Sequence, residues 1–428
     1  MDTRTKNVSL GDLQEIVGEE HAREATPDDA VDGVGPSFVA EPGSIEETSE
    51  LLRFAAEEGL AVAPRGGGTT LSLGNPPREV DLVLSTARMD EVIEHVPGDQ
   101  VVRVQAGMRL RDLQERLAGS DQMLGIDPPE TDAGATVGGV VATNSSGPRR
   151  HRYGTVRDLI IGITVVLSDG TVAKAGGKVV KNVAGYDLSK LFTGSLGTLG
   201  VIAGCNFRLH PRPEAARAVA VELASTQAAG EAAQAVLHAQ LVPSAVELRW
   251  GEEERHLSVL IEGIPPGVEA QSDTASYLLR GFGEVRTLTD EEAGAPGPLA
   301  VPGSPAGDEV SLKISAPPAE LTGVLDSTLG ACSRRGVAPR ITGHAGIGVT
   351  YVALPGGDED AHVQIVEELR EIWTRRGGSV VVRSAPRSFK ERVEAWGPLG
   401  SRLELTRRVK EKFDPRGIMN PGRFAGGV

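Results

Sequence analysis

The sequence predicts an α+β fold in two lobes, and three observations carry that prediction. The chain has 428 residues, too many for one hydrophobic core, since cores stop growing near ~250–300 residues. The run His210-Pro211-Arg212-Pro213 ends a strand and reads as a domain exit. Before it, strands alternate with Gly-rich loops. Beyond it, strands and helices follow one another roughly in βαβ order, which suggests one antiparallel sheet covered by helices. The first lobe is expected over 1–213 (core about 40–213) and is completed by 400–428; a cap lobe is expected over 214–399.

Each element has its own signal. The first thirty-odd residues are acidic and weakly periodic. Ser44 can N-cap a helix, Glu47 completes a capping box and Gly59 can end it, with Ile45, Leu51, Leu52 and Ala55 on one apolar face. A short strand at Ala61–Ala63 breaks at Pro64. Val102, Val104 and Ala106 alternate with Arg103 and Gln105, the mark of a half-buried strand. Leu110, Leu113 and Leu117 mark a helix. The apolar run 160–167, the turn Ser168-Asp169-Gly170 and the strand 171–174 read as a hairpin, and 201–209 is a further strand. In the cap, strands are expected at 245–250, 257–262, 309–315, 339–342, 348–354 and 379–383, and helices at 227–240, 268–279, 318–334 and 358–375. The stretch 292–308 is rich in Gly, Pro and Ala and reads as a surface loop; a last helix spans about 399–413.

Composition excludes several functions. The formal net charge of −15 repels nucleic acid and anionic lipid at long range. Cys205 and Cys332 are the two cysteines, too few for an iron–sulfur cluster or a cysteine-type zinc site. No metal site is expected, and a reducing, cytoplasmic compartment fits. The polar start carries no signal-peptide pattern. No stretch approaches ~18 uninterrupted apolar residues, so direct membrane insertion is not expected.

The chemistry lies in Gly-rich segments. In Pro64-Arg65-Gly66-Gly67-Gly68-Thr69-Thr70 the glycines let successive backbone N–H groups converge on an anion. In the segment 134–147 small residues alternate with donors: Thr136, Thr143, Asn144 and Ser145. Small side chains allow backbone to approach a flat ring or a phosphate. A third segment runs through Lys181-Asn182-Val183-Ala184-Gly185-Tyr186-Asp187 to Gly194, Gly197 and Gly200. The glycine spacing there is not the Rossmann fingerprint, and no acidic residue follows at the ribose position, so a nicotinamide dinucleotide is not expected. Taken alone, each segment also suits an ordinary turn or a small-residue packing contact. Two of them seventy residues apart, each bracketed by strand or helix signals, point to one ligand between them.

PRGGGT, GATVGGVVATNSSG, YGTVRDLIIG, KNVAGYD and GSLGTLGVI, in that order, resemble the FAD-binding domain of the vanillyl-alcohol oxidase and p-cresol methylhydroxylase superfamily (PCMH-type). KFDPRGIMNPGRF resembles its closing motif, as found in D-2-hydroxyacid dehydrogenases and glycolate oxidase subunits. The run Ser146-Gly147-Pro148-Arg149-Arg150, with Arg383-Ser384-Ala385-Pro386, is most similar to the FAD-binding glycolate oxidase subunits of GlcE type. The resemblance implies that Pro64, Arg65, Gly66, Gly67, Gly68 and Thr69 wrap the FAD pyrophosphate. It places Thr136, Gly138, Gly139, Thr143, Asn144, Ser145, Gly147 and Tyr153 on the flavin side, Gly197 and Ile202 near the adenine-ribose half, and Asn420 over the ring. No His occurs between Pro64 and Leu84, so the FAD is expected to be non-covalent.

One departure bears on the reaction. Catalytic D-2-hydroxyacid members carry Gly-His-x-Gly-Asp-Gly-Asn-x-His; here the counterpart is Gly343-His344-Ala345-Gly346-Ile347-Gly348-Val349-Thr350-Tyr351. One His survives, and a lone His makes no multidentate metal site. His344, Tyr351, Arg383 and Lys390 remain as catalytic candidates, Arg383 as a bidentate partner for a carboxylate. Three readings stay open. The chain is a flavin subunit of a glycolate oxidase-type complex with a sister flavoprotein and an iron–sulfur subunit, a self-sufficient dehydrogenase of an alcohol or 2-hydroxy acid, or an assembly subunit on a FAD fold.

Overall fold

The computed structural model describes residues 8–177, 187–288 and 309–428. Of the segment 181–187 only Asp187 is described, where its side chain caps the helix Leu188–Phe192; the expected loop 292–308 lies outside the described residues.

The first lobe joins two sheets. Leu82–Ser85 runs parallel to both Phe38–Ala40 and Val62–Arg65, and Ala22–Glu24 adds an antiparallel edge. The helix Ile45–Glu58 buries Leu51, Leu52 and Ala55 against this sheet. Ser44 accepts the Glu47 N–H, a cap worth ~1 kcal/mol, and Gly59 turns left-handed at φ 68°. The Glu47 carboxylate reaches one residue further back than a capping box requires, to the Gly43 N–H at 2.7 Å, because Arg88 also holds it. The second sheet is antiparallel, in the order Val92–Val96, Val101–Gln105, Val201–Arg208, Ile160–Val166, Val172–Gly176. Val102 and Val104 are fully buried on it beside Leu110 and Leu113 of the helix Leu110–Ala118.

The cap is one eight-stranded antiparallel sheet. Its order is Val285–Leu288, Ala215–Glu222, Arg255–Gly263, Ala245–Trp250, Arg340–His344, Val349–Leu354, Val310–Ser315, Ser379–Ser384. Period-2 alternation gives the sheet two unlike faces. Val219, Leu257, Val259, Val246, Leu248, Ile341, Val352, Leu312 and Val382 form one face and pack under four helices, Thr226–His238, Pro265–Leu279, Leu321–Ser333 and Glu359–Arg375. The other face carries Glu262, Glu247, His344, Tyr351, Lys313 and Arg383, and faces the first lobe.

The chain returns to the first lobe through the helix Arg402–Phe413. Met419 bridges Val62 in parallel, and the Asn420 N–H donates to the Val62 carbonyl at 2.8 Å.

Candidate functional site

Two loops meet edge to edge in the first lobe. A Cβ on Gly66 would lie 2.0 Å from Thr136 Oγ1, and one on Gly67 would lie 2.0 Å from the Gly134 carbonyl oxygen. Only glycine permits this approach. The expected loop 134–147 contains a short helix, Val137–Thr143, which the abundance of Gly concealed. Thr136 caps it by accepting the Gly139 N–H, and Asn144 ends it at φ 50°. The Gly138 Cα faces Ala106, where a Cβ would lie 2.7 Å away, so the helix sits directly on the second sheet.

Between these loops lies an open groove. Pro64, Arg65, Gly66, Gly67, Gly68 and Thr69 line one side, Thr136, Gly138, Gly139 and Thr143 another, and Gly197, Ile202 and Asn420 close it. Four other named residues lie off the lining. Asn144 caps the short helix. Ser145 donates to Glu130 Oε2 at 2.8 Å. Gly147 packs against the Asp127 backbone, where a Cβ would stand 1.9 Å from its carbonyl oxygen. Tyr153 turns away to stack on His210, with ring centroids 4.9 Å apart. The groove also gains Leu196 and Arg423, which lie inside the motifs GSLGTLGVI and KFDPRGIMNPGRF but were not assigned to the FAD.

The groove fits a dinucleotide with a flat ring. Arg65 reaches it while holding Asp29 at 2.9 Å. Hydrogen bonds from Arg23, then from the Thr26 backbone and Arg65, keep the Asp29 carboxyl well below the usual carboxylate range. The Asn420 side chain donates to the Leu196 carbonyl at 2.7 Å, and its Oδ1 is buried without a partner. Asn420 stands at φ 44°, a left-handed conformation that Asn tolerates better than other non-glycine residues. Lys410 ties the two closing segments together: its Nζ donates to the Thr198 carbonyl at 2.8 Å and the Met419 carbonyl at 2.6 Å.

The catalytic candidates gather elsewhere, on the polar face of the cap. His344 pairs in register with Glu247, and its Nδ1 lies 2.9 Å from the Glu247 carboxylate. His344 is 1% exposed and Glu247 4%. Burial raises the Glu247 carboxyl well above its ordinary value. Burial, with help from Arg150, lowers His344 to about 3. Both partners therefore favour their neutral forms, and one hydrogen bridges the gap. His344 Nε2 is buried with no partner. Tyr351 meets the imidazole edge-on at 5.5 Å, and the Arg383 guanidinium lies over the Tyr351 ring at 5.1 Å. Lys390 is not in this group. It is buried on Asp32 at 2.8 Å and on the Ser72 carbonyl, holding the cap to the first lobe.

Several members of the cluster were missed by sequence reasoning. Lys313 pairs in register with Tyr351; burial, then Arg150 and Arg383, lower it to about 8. From the first lobe, Arg149 donates to Glu262 at 2.7 Å and Arg383 reaches Glu130 at 3.3 Å. Burial outweighs Arg149 at Asp127 and pushes its carboxyl up to about 7. Glu130 also accepts from Ser145, two residues beyond the groove-lining Thr143. Cap cluster and groove therefore adjoin through Ser145 and Glu130. A signal was available: Lys313 lies between the apolar Leu312 and Ile314, and Glu247 between Val246 and Leu248. Charges at mid-strand imply a polar sheet face.

Among the described residues, no group of three His, Cys, Asp or Glu side chains could hold a metal, and no helix is long and apolar enough to cross a membrane.

Sequence and fold similarity place the chain in a family. Residues 36–176 match a FAD binding domain, and residues 212–297 and 393–424 match the C-terminal domain of FAD linked oxidases. The chain is 30% identical over 410 residues to a D-lactate dehydrogenase of Archaeoglobus fulgidus, covering 90% of each chain. It is 26% identical over 421 residues to the glycolate oxidase subunit GlcD of Bacillus subtilis, covering 91% of this chain and 89% of the other. Its fold superposes on p-cresol methylhydroxylase with a TM-score of 0.75 at 16% identity, over 98% of both chains. The chain belongs to the FAD-linked oxidase family, and it is an FAD-dependent oxidoreductase.

Proposed function

We propose that this chain oxidises a small 2-hydroxy acid in the cleft between the FAD groove and the polar face of the cap. One observation carries the reading: the Arg383 guanidinium, over the Tyr351 ring at 5.1 Å, and Lys313, in register with Tyr351, stand beside the buried His344–Glu247 pair. Lys313 and Arg383, with Arg150 of the first lobe, add to burial in depressing His344. A carboxylate is the natural ligand for such a group. The D-lactate dehydrogenase and glycolate oxidase relatives support a hydroxy acid.

The groove lining supports these FAD contacts: the loop 64–69 would take the pyrophosphate, and the helix at 137–143 and Asn420 would hold the ring. Among the described residues, no His, Cys or Tyr belongs to that lining, which favours non-covalent binding. Bound there, FAD would supply the acceptor for the hydride on the carbon that bears the hydroxyl. The protein's part is to hold the carboxylate and move the hydroxyl proton. His344 Nε2 takes that proton when the pair has lost one of its own, with Glu247 fixing Nδ1–H. Arg150, Lys313 and Arg383 favour that more anionic state; burial opposes it.

A second reading has its own support. Ile347, Val349 and Tyr351 form a small apolar cluster where D-2-hydroxyacid dehydrogenases carry Asp, Asn and His. That favours a GlcE-type flavin subunit of a glycolate oxidase complex, acting with a sister flavoprotein and an iron–sulfur subunit. Anaerobic stopped-flow mixing of the FAD-loaded chain with glycolate and D-lactate separates the two. Bleaching of the flavin band near ~450 nm within seconds is the expected result. An unchanged band, in a protein that dithionite still bleaches, would overturn the first reading in favour of the second.

A further inference from the structure

We propose that the segment 26–34 is a working part of the FAD site: its two buried carboxylates, Asp29 and Asp32, position Arg65 and Arg423, the two arginines that line the groove among the described residues. The segment lies outside both matched domains. The proposal rests on the reading of that groove as the FAD site.

The local structure aims both acids inward. Pro27–Asp29 is a single 3-10 turn, and the Asp29 carboxylate folds back to accept the Thr26 N–H at 2.9 Å and the Thr26 hydroxyl at 3.0 Å. Val31 and Val34 then exchange backbone hydrogen bonds at 2.9 and 3.0 Å. Between them Asp32 and Gly33 stand at φ 51° and 80°, the left-handed pair that closes a two-residue hairpin. Val31 itself lines the groove.

Each acid thereby meets one groove arginine. The Asp29 side chain, 4% exposed, accepts from Arg65 at 2.9 Å, and Arg23 holds it from outside with two bonds at 2.7 and 2.8 Å. The Asp32 side chain lies 3.6 Å from Arg423 and 2.8 Å from Lys390 of the cap. One carboxylate thus serves the groove wall and the docking of the cap. Arg423 also donates to the Leu71 carbonyl at 2.7 Å and the Asn75 carbonyl at 3.2 Å. A guanidinium carries five N–H donors, so a bond to Asp29 leaves Arg65 with others for a pyrophosphate. An arginine already held in place also loses less freedom when the ligand arrives.

The test is a pair of double-mutant cycles read by FAD affinity of the apo protein, from flavin fluorescence. Asp29→Asn is expected to weaken FAD by ~10-fold. Because Asp29 acts through Arg65, the same change should add less than about twofold in an Arg65→Met background. Asp32→Asn should behave alike with Arg423→Met. Equal losses in both backgrounds would mark the acids as merely structural, and affinity within about twofold of the unmutated protein would overturn the proposal outright. Hydrogen exchange of the unmutated protein decides the matter even where a variant does not fold. The Thr26 and Asp29 amides lie off the groove lining, yet should exchange more slowly once FAD is bound; unchanged exchange there would overturn the proposal. If Arg65→Met itself leaves FAD affinity unchanged, the groove assignment falls and this proposal with it.

Discussion

Lys410 should decide whether the FAD groove stays closed. Its ammonium is buried on the Thr198 and Met419 carbonyls and on Asp414 at 2.6 Å. Asp414 in turn accepts the Ile418 N–H at 3.1 Å and the Met419 N–H at 2.8 Å. This pair is the rivet between the 194–200 loop and the segment that carries Asn420. Lys410→Met keeps most of the side-chain volume and removes the charge. It leaves Asp414, whose side chain is fully buried, as an unpaired anion, and breaking a buried pair from one side costs ~3–5 kcal/mol. At roughly 2–4 °C per kcal/mol for a domain of this size, Tm should fall by roughly 6–20 °C. FAD should be lost as well: displacing one charge-assisted contact of the loop weakens binding by ~10-fold or more. Thermal melts with and without FAD, and FAD affinity from flavin fluorescence, measure both. Lys410→Met with Asp414→Asn should recover part of the Tm, because the orphaned charge is gone. FAD affinity within twofold of the unmutated protein, with an unchanged Tm, would refute the argument.

Gly67→Ala should abolish FAD loading, since its Cβ would stand 2.0 Å from a backbone oxygen that cannot swing aside; overpacking of this kind costs ~1–3 kcal/mol, so apo protein with near-normal circular dichroism but no yellow colour is expected. Flavin reduction by substrate should speed up as pH rises above the ordinary carboxylate range, because burial raises Glu247 and holds the proton that the His344–Glu247 pair must lose to act as base. His344→Gln should remove that rising limb and slow reduction by ~10²–10⁴-fold without weakening FAD; a profile of unchanged shape would exclude the pair as the base.

Legibility differed sharply between the two lobes. In the first lobe, ligand-binding segments are contiguous in sequence, so PRGGGT and the run 134–147 announced themselves, and the groove forms where they touch. The helix Val137–Thr143 was hidden because Gly138 and Gly139 read as loop, although Gly138 is there to lie on Ala106. The N-terminal helix Leu10–Val17 was missed because its buried face is only Leu13 and Val17. In the cap, six of the eight strands showed in the sequence, and Ala215–Glu222 and Val285–Leu288 did not. The site did not, because its members come from separate strands: 247, 313, 344, 351 and 383 share a face only once the register is known. Arg149 and Arg150 were visible as a motif, but their role depends on Glu262 and on the cap cluster, more than a hundred residues away.

Lys313 separates a site kept for binding from one kept for stability. At mid-strand, a methionine would pack between Tyr351 and Val381 with no charge to desolvate. Burial depresses the Lys313 ammonium from 10.5 to about 8, so below pH 8 the folded state carries a charge that the unfolded state holds more cheaply. Discounted for its partial exposure, that burden is roughly 1–3 kcal/mol. The sign follows from linkage: the burden is complete below the folded value, shrinks as pH rises through it, and is gone above the unfolded value. The unmutated protein should therefore gain stability between about 8 and 10.5, and Lys313→Met should be the more stable protein at pH 7 and lack that rise. A residue that costs stability in the empty protein is kept for something other than stability. If Lys313→Met melts lower at pH 7, the ammonium has a structural partner that offsets its burial.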